Sequence, residues 1–252
     1  MMGLQGKVCI ITGGGSGIGR GAALMMAEQR AKIALVGRTA SKVEAVCDEI
    51  TSHGGEALAF GLDVADAAGV RQMTQQTLDT FGRIDVLVNN AGHSSHHRRI
   101  LTTPPDEIRA VIDSNLVGTL YCTQAVLPTM LEAGEGTIIN VASLAGVHTS
   151  YLGGMIYSTV KAAVIHFTRF LNFELTNTGV RASVLIPGEV DTPIMDNRPI
   201  PPTSDDRTTM IGVDECSEAL TMIAGLPMRS TISELTIKPT IMRAAAETAN
   251  FP

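Results

Sequence analysis

The sequence predicts an α/β protein built on one doubly wound parallel sheet, about seven strands with helices on both faces. Three observations carry that prediction. Short β-branched runs alternate with longer stretches of helical periodicity, the order that strand–helix–strand units impose. The runs are near-continuous in hydrophobicity rather than alternating, as strands covered on both faces should be. Glycine supplies 25 of 252 residues while aromatic residues make up 4%, so the core is one of Ala, Val, Ile and Leu, with glycine kept for close backbone contacts.

Val8-Cys9-Ile10-Ile11 reads as the first strand and stops at Thr12-Gly13. Ile33 to Val36, Ile84 to Val88, Thr137 to Val141, Val180 to Ile186 and Ile232 to Ile237 follow the same pattern, and Glu56 to Phe60 is a shorter, weaker run. Helical periodicity fills the gaps at roughly 17–30, 39–52, 66–81, 106–132, 156–177 and 214–225. Parallel strands joined this way require right-handed crossovers. Residues 191–212, with four prolines and several charges, read as a structureless insertion of the kind that forms a lid or binding loop. The whole chain, 1–252, is expected to be one domain.

Apolar residues at 44% and charged residues at 17% support a sizeable core and exclude a disordered chain. Nineteen Lys and Arg against 25 Asp and Glu leave a net charge of −6, which argues against a nucleic-acid partner. No apolar run approaches the roughly 20 residues that span a bilayer, so no membrane partner is expected. The N-terminal stretch MMGLQGKVCIITGGG has neither signal-peptide nor transit-peptide character. Cys9, Cys47, Cys122 and Cys216 form no CxxC pair and are expected as buried thiols of a cytoplasmic protein, with no metal site.

Thr12-Gly13-Gly14-Gly15-Ser16-Gly17-Ile18-Gly19 falls between the first strand and the first helix. There a helix N-terminus offers free N–H groups and a positive dipole to a phosphate. Glycines let the backbone approach a pyrophosphate and let the helix pack close to the strand. The spacing in register is GxxxGxG, at Gly13, Gly17 and Gly19; no Gly-Lys-Ser/Thr follows, which excludes a P-loop. Asn89-Asn90-Ala91-Gly92 follows the fourth strand, Asn115 lies within DSNLVGTLYCTQAVLPTM, and Ser143 closes the fifth strand. Tyr157 and Lys161 form YxxxK, and Pro187-Gly188 follows the sixth strand. With these motifs in this order, residues 7 to 240 resemble the short-chain dehydrogenase/reductase family, classical type, whose fold is a Rossmann-type domain. The interval from Ser143 to Tyr157 is one residue longer than the family's usual spacing, and the ending ISELTIKPT lacks the Asp-Gly-Gly close common elsewhere in it.

The resemblance implies an NAD(P)-dependent oxidoreductase that interconverts a secondary alcohol and a ketone with a tetrad of Asn115, Ser143, Tyr157 and Lys161. Tyr157 and Lys161, four apart on a predicted helix, project from one face. A free phenol titrates near about 10, so a base at neutral pH needs a lowering of about 3 units, roughly 4 kcal/mol. A neighbouring ammonium and an oxidised nicotinamide would supply it in a partly desolvated cleft. By resemblance, Tyr157 exchanges a proton with the substrate oxygen, Ser143 hydrogen-bonds that oxygen, and Lys161 also binds the ribose hydroxyls. Asn115 would hold a water linking Lys161 to solvent, and hydride would pass from the B face. The same resemblance sets the cofactor against Gly13, Ser16, Gly17, Ile18, Gly19, Asp63, Val64, Asn90, Ala91, Gly92, Pro187, Gly188, Val190 and Thr192. NADP(H) is expected as the preferred cofactor, with NAD(H) possible. Gly37 occupies the place of the family's ribose-binding acid, and Arg38 offers paired N–H donors to a 2′-phosphate.

The remaining features are read more plainly. His93, His96 and His97 with Arg98 and Arg99 read as a solvated loop with no carboxylate or Cys nearby to complete a metal site, His93 being the candidate for substrate contact. Tyr151 has no lysine four residues on and reads as a wall of the substrate pocket. Met155, Met195 and Met210 are either pocket lining or gap fillers. Loops 93–103, 144–155 and 191–212 would select the small carbonyl or alcohol substrate. A homotetramer or homodimer is expected through 106–132 and 156–177, with Val160, Ala163, Val164 and Phe167 on the apolar faces. A catalytically inactive dinucleotide-binding sensor is the alternative, but such a protein should have lost Tyr157 or Lys161. A sugar-nucleotide epimerase or dehydratase would need a larger C-terminal substrate domain.

Overall fold

A computed structural model describes residues 3–241; the extremes of the expected 1–252 domain lie outside the described residues. The chain alternates β1 (Val8–Thr12), α1 (Gly17–Glu28), β2 (Lys32–Gly37), α2 (Ala40–Ser52), β3 (Glu56–Gly61), α3 (Ala67–Phe81) and β4 (Val86–Asn89). It continues through α4 (Pro105–Ile112), α5 (Gly118–Ala133), β5 (Gly136–Val141), α6 (Met155–Glu174), β6 (Val180–Pro187), α7 (Ser204–Arg207), α8 (Val213–Gly225) and β7 (Glu234–Ile237). All strand pairs are parallel, in the order β3-β2-β1-β4-β5-β6-β7. The chain winds outward from β1 to β3, then crosses back to β4 on the other side of β1 and winds outward again.

Alternate residues of the buried strands enter opposite cores. On one face, α1, α2 and α8 cover Cys9, Ile11, Ile33, Leu35, Val86 and Val88. On the other, α3, α5 and the end of α6 cover Ile10, Ala34, Val36, Leu87, Ile138 and Ala182. Burial on both faces is why these strands read as unbroken apolar runs. The edge strand β3 is only half-buried, which explains its weaker signal.

One polar ladder crosses this interior. Asn89 and Asn140 stand opposite each other in the β4–β5 register. Asn89 Nδ2 donates to Asn140 Oδ1 at 2.9 Å and to Thr123 Oγ1 of α5 at 3.1 Å, and Asn140 Nδ2 donates to Thr168 Oγ1 of α6 at 2.9 Å.

Three expectations need correction. The helical run read over 106–132 is continuous from α4 into α5, but its middle turn, Asp113–Val117, is a π-turn rather than α-helix. Residues 191–212 are not structureless. They hold a 3₁₀ turn at Pro193–Asn197, the capping-boxed α7 and a parallel bridge from Val190 to Ile211, and Arg207 pairs with Asp191 and Asp196. Val160 and Val164 serve no outward face, because both are buried in this chain's own cores, and Phe167 packs against Leu171's cluster. The exposed aromatics of α6 are Phe170 and Phe173.

At the N-terminal end of the sheet, Asp85 is 5% exposed and ties β1 to β4. Its Oδ2 accepts from Val8 N at 2.9 Å and Arg83 Nε at 2.8 Å, and its Oδ1 from Lys7 Nζ at 2.9 Å. Burial alone would raise its pKa, but these donors outweigh burial and hold it below the ordinary value. A depressed carboxylate stabilises the fold above its unfolded pKa of about 4, and that contribution is lost as pH falls. Asp85→Asn should therefore cost about 1–3 kcal/mol in urea unfolding at pH 7, with a smaller difference at pH 3. Equal differences at the two pH values would contradict this account.

Candidate active site

Where the strand order reverses, the C-terminal ends of β1 and β4 diverge and leave a crevice between the segments that follow them. Thr12, the last residue of β1, fastens its two sides. Its Oγ1 accepts from Asn90 N and Ala91 N, both at 3.0 Å, and donates to Val88 O at 3.3 Å. Asn90 Nδ2 returns to Thr12 O at 3.0 Å and Gly13 O at 3.3 Å. Gly13 adopts φ +66°, and a Cβ there would stand 2.7 Å from Asn90 Nδ2. A Cβ at Gly19 would stand 2.4 Å from Gly13 O, so both glycines are required by close backbone packing. Ser16 caps α1 in an extended conformation without a side-chain cap bond, and the first turn holds no acid. The leading N–H groups of α1 thus have no side-chain competitor for a phosphate. These features fit a dinucleotide.

A cavity of about 430 Å³ opens from this loop. It is lined by Gly13, Ser16, Gly17, Ile18, Asn90, Ala91, Gly92, Asn115, Ser143, Tyr157, Lys161, Pro187, Gly188, Val190 and Thr192. An adjoining recess of about 180 Å³ shares Gly13, Ser16, Ala91 and Gly92 and adds Gly37, Arg38, Asp63 and Val64. Of the site residues expected from sequence, Gly19 alone lines neither space; it packs behind the loop. Lys42, in the first turn of α2, lines the recess beside Arg38. Sequence reading missed it, although its place four residues after Arg38 was a usable signal.

Asn115 sits in the π-turn, a departure from α-helix that recurs at functional sites. Its Nδ2 donates to His93 O and Val111 O, each at 2.9 Å, and its buried Oδ1 has no protein partner. Ser143 follows β5 and accepts from Ala145 N at 3.2 Å. Lys161 is 4% exposed, donates from Nζ to Val141 O at 2.9 Å, and lies 5.5 Å from the Tyr157 ring centre. Burial pulls the Lys161 pKa down to about 8. Tyr157 moves the other way: burial pushes its pKa up, against a hydrogen bond with Ser143 and the charges of Arg198 and Arg98. In the chain by itself the phenol is held protonated rather than lowered, because desolvation exceeds what nearby cations return.

The histidine loop also differs from expectation. A carboxylate does stand there: Glu107 of α4 accepts from Ser95 Oγ, from His97 N at 3.0 Å and from His97 Nδ1 at 2.7 Å. Burial would raise the Glu107 pKa, but these hydrogen bonds bring it down to about 2. Ser95 and Arg98 are buried, so the loop is a packed wall on its inner side. Among the described residues no group of acids, His and Cys could hold a metal ion. His93 lines the recess near Arg38 and bonds Ser114 Oγ at 2.9 Å. Tyr151 is no pocket wall. Ser150 and Leu152 line the cavity, while Tyr151 lies 37% exposed against Arg99. Met195 lines the cavity, and Met155 packs beside Ile156 and Val160.

Fold and crevice together define a protein of the dinucleotide-binding α/β class. The family model for short chain dehydrogenases matches residues 7–201. A subunit of (2S)-[(R)-hydroxy(phenyl)methyl]succinyl-CoA dehydrogenase from Thauera aromatica is 40% identical over 203 residues, covering 79% of each chain. A metagenomic short-chain oxidoreductase in complex with NADP superposes with TM-score 0.82 at 30% identity, covering 95% of this chain and 99% of that one. An alcohol dehydrogenase from Thermococcus sibiricus, complexed with 5-hydroxy-NADP, gives TM-score 0.84 at 28% identity over 94% and 98%. The chain belongs to the short-chain dehydrogenase family and is an oxidoreductase.

Gly19→Ala tests the loop geometry. Its Cβ must displace Gly13 O or Asn90, an overpacking cost of about 1–3 kcal/mol. NADPH affinity, read by fluorescence titration, should fall by roughly tenfold or more; affinity within twofold of wild type would dissociate the loop from cofactor binding.

Proposed function

We propose that the protein interconverts a secondary alcohol and a ketone with a nicotinamide cofactor, using Tyr157 as the general acid and base. The observation that carries this reading is the meeting of Tyr157, Ser143 and Lys161 in one cavity that is continuous with the glycine loop. The Thauera relative's name, which specifies a hydroxy(phenyl)methyl group, supports an alcohol as the reacting function. The dinucleotide supplies the hydride and, when oxidised, a positive charge beside the cavity.

The chain's own groups divide the remaining work. Tyr157, held protonated by burial, donates its proton to a carbonyl oxygen during reduction. The Ser143 hydroxyl fixes that oxygen. Lys161, anchored by Val141 O, places its charge beneath the phenol ring, and Asn115 Oδ1 offers a buried acceptor for a water leading toward Lys161. Residues of the 191–212 segment, Ile194 and Met195 among them, close the substrate end. Tyr157→Phe should lower kcat by about 10²–10⁴-fold with NADPH affinity nearly intact, while Tyr151→Phe stays near wild type. Activity of Tyr157→Phe within tenfold of wild type would sink the assignment.

The preferred cofactor is NADP(H). Gly37 puts no acid against a 2′-phosphate, and Arg38 and Lys42 bring two cations to the recess. The NADP and 5-hydroxy-NADP complexes of the two structural relatives support this choice. The double variant Gly37→Asp/Arg38→Leu should shift kcat/KM toward NADH by about one to two decades. A wild type that favours NADH, or a double variant without the shift, would refute it.

A further inference from the structure

We propose that Ser94 is a substrate-binding residue, whose hydroxyl donates to a second, uncharged oxygen of the ketone, a carbonyl of ester or amide type set apart from the reacting carbon. The proposal rests on reading this cavity as the alcohol/ketone site and adds a feature of the substrate.

Ser94 comes two residues after the Asn90-Ala91-Gly92 segment and lines the same cavity as Ser143, Tyr157 and Lys161. Its Oγ accepts from Arg98 Nη1 at 2.8 Å. A serine hydroxyl also carries one proton to donate. The acceptor that the protein gives this proton is Ser95 O at 3.4 Å, well beyond the length of about 2.7–2.8 Å usual for such a bond. The hydroxyl is therefore satisfied as an acceptor and poorly used as a donor. A charged donor on Oγ, itself 1% exposed, polarises the O–H bond and strengthens it toward a ligand.

Arg98 also fixes where that hydroxyl stands. Its Nη1 donates to Gly153 O at 2.8 Å, and its own carbonyl accepts at 3.1 Å from the N–H of Met155, the first residue of α6. Gly154 between them adopts φ +75°, and a Cβ there would stand 2.7 Å from Arg98 Cδ. Side chain and backbone of Arg98 are thus fastened to the start of α6, two residues before Tyr157. The Ser94 and Tyr157 hydroxyls are referenced to one short piece of chain, which suits recognition of two oxygens on one molecule. The second oxygen is uncharged because Arg198 is matched by Glu189, while Leu152, Ile194 and Met195 bring hydrocarbon to the cavity. A hydroxyl donor among apolar side chains can bind a carbonyl without burying an unmatched charge.

The test is equilibrium binding to the protein saturated with NADP, with which no ketone can be reduced. The probes are ethyl acetoacetate and ethyl levulinate, whose ester carbonyls lie one and two methylenes from the ketone. The controls are 2-heptanone and 2-octanone, of matching chain length. Ser94→Ala should weaken at least one ester about fivefold and leave both alkanones within about twofold. Ser94→Cys, close in shape but a weak donor, should repeat that result, and NADPH titration of each variant reports that the fold and crevice survive. Equal losses for esters and alkanones would make Ser94 a structural residue and overturn the proposal. So would variants that bind the esters as wild type does, or a wild type that binds neither ester. Reduction of the four ketones by NADPH is followed separately. An ester-specific loss of binding without any turnover counts against the proposed reaction and leaves the Ser94 contact standing.

Discussion

The tie between Thr12 and Asn90 across the β1–β4 seam is the constraint on which the cavity depends. Strand order reverses there, so the segments leaving β1 and β4 turn to opposite faces and would part without a fastening. One hydroxyl gathers two backbone N–H groups from the far side, and one side-chain amide returns to two carbonyls on the near side. The glycine loop and the Asn90-Ala91-Gly92 segment are thereby one rigid floor. A dinucleotide laid over it meets a preset surface, and the tetrad is measured from the same reference, since Gly92 abuts Asn115.

At Tyr157 and Lys161 burial outweighs pairing with neighbouring charges. Burial moves Lys161 down and Tyr157 up, both toward their uncharged forms. A positive charge brought in by a ligand beside the phenol acts against that upward shift.

Much of this was legible in the sequence. The order of strands and helices, the parallel sheet and the clustering of Asn115, Ser143, Tyr157 and Lys161 were readable, because double burial and ordered motifs leave strong patterns. The π-turn left none: a single wide turn at Asp113–Val117, which buries Ser114 and Asn115, has no signature in the spacing of apolar residues. The fastening of residues 191–212 depends on Arg207 reaching Asp191 and Asp196, and that of the histidine loop on Glu107 reaching His97. Such long-range polar contacts have no period to detect. Tyr151 was misplaced for a simpler reason, since adjacent loop residues give no clue to which side faces the cavity.

The Asn89–Asn140 ladder has a consequence for how the chain finds its pairing. Apolar strands buried on both faces are poorly discriminating, because Val-Leu-Val slides past Ile-Ile with little loss of buried area. A slip of one residue between β4 and β5 would send the two amides to opposite faces and strand both in a hydrocarbon interior. The amides thus act as a vernier between the halves of the sheet. Mispaired intermediates lose several hydrogen bonds at once, including those to Thr123 and Thr168 that seat α5 and α6. The alignment of the crevice floor with the strand that leads to Ser143 is in this way checked during assembly, before any ligand arrives.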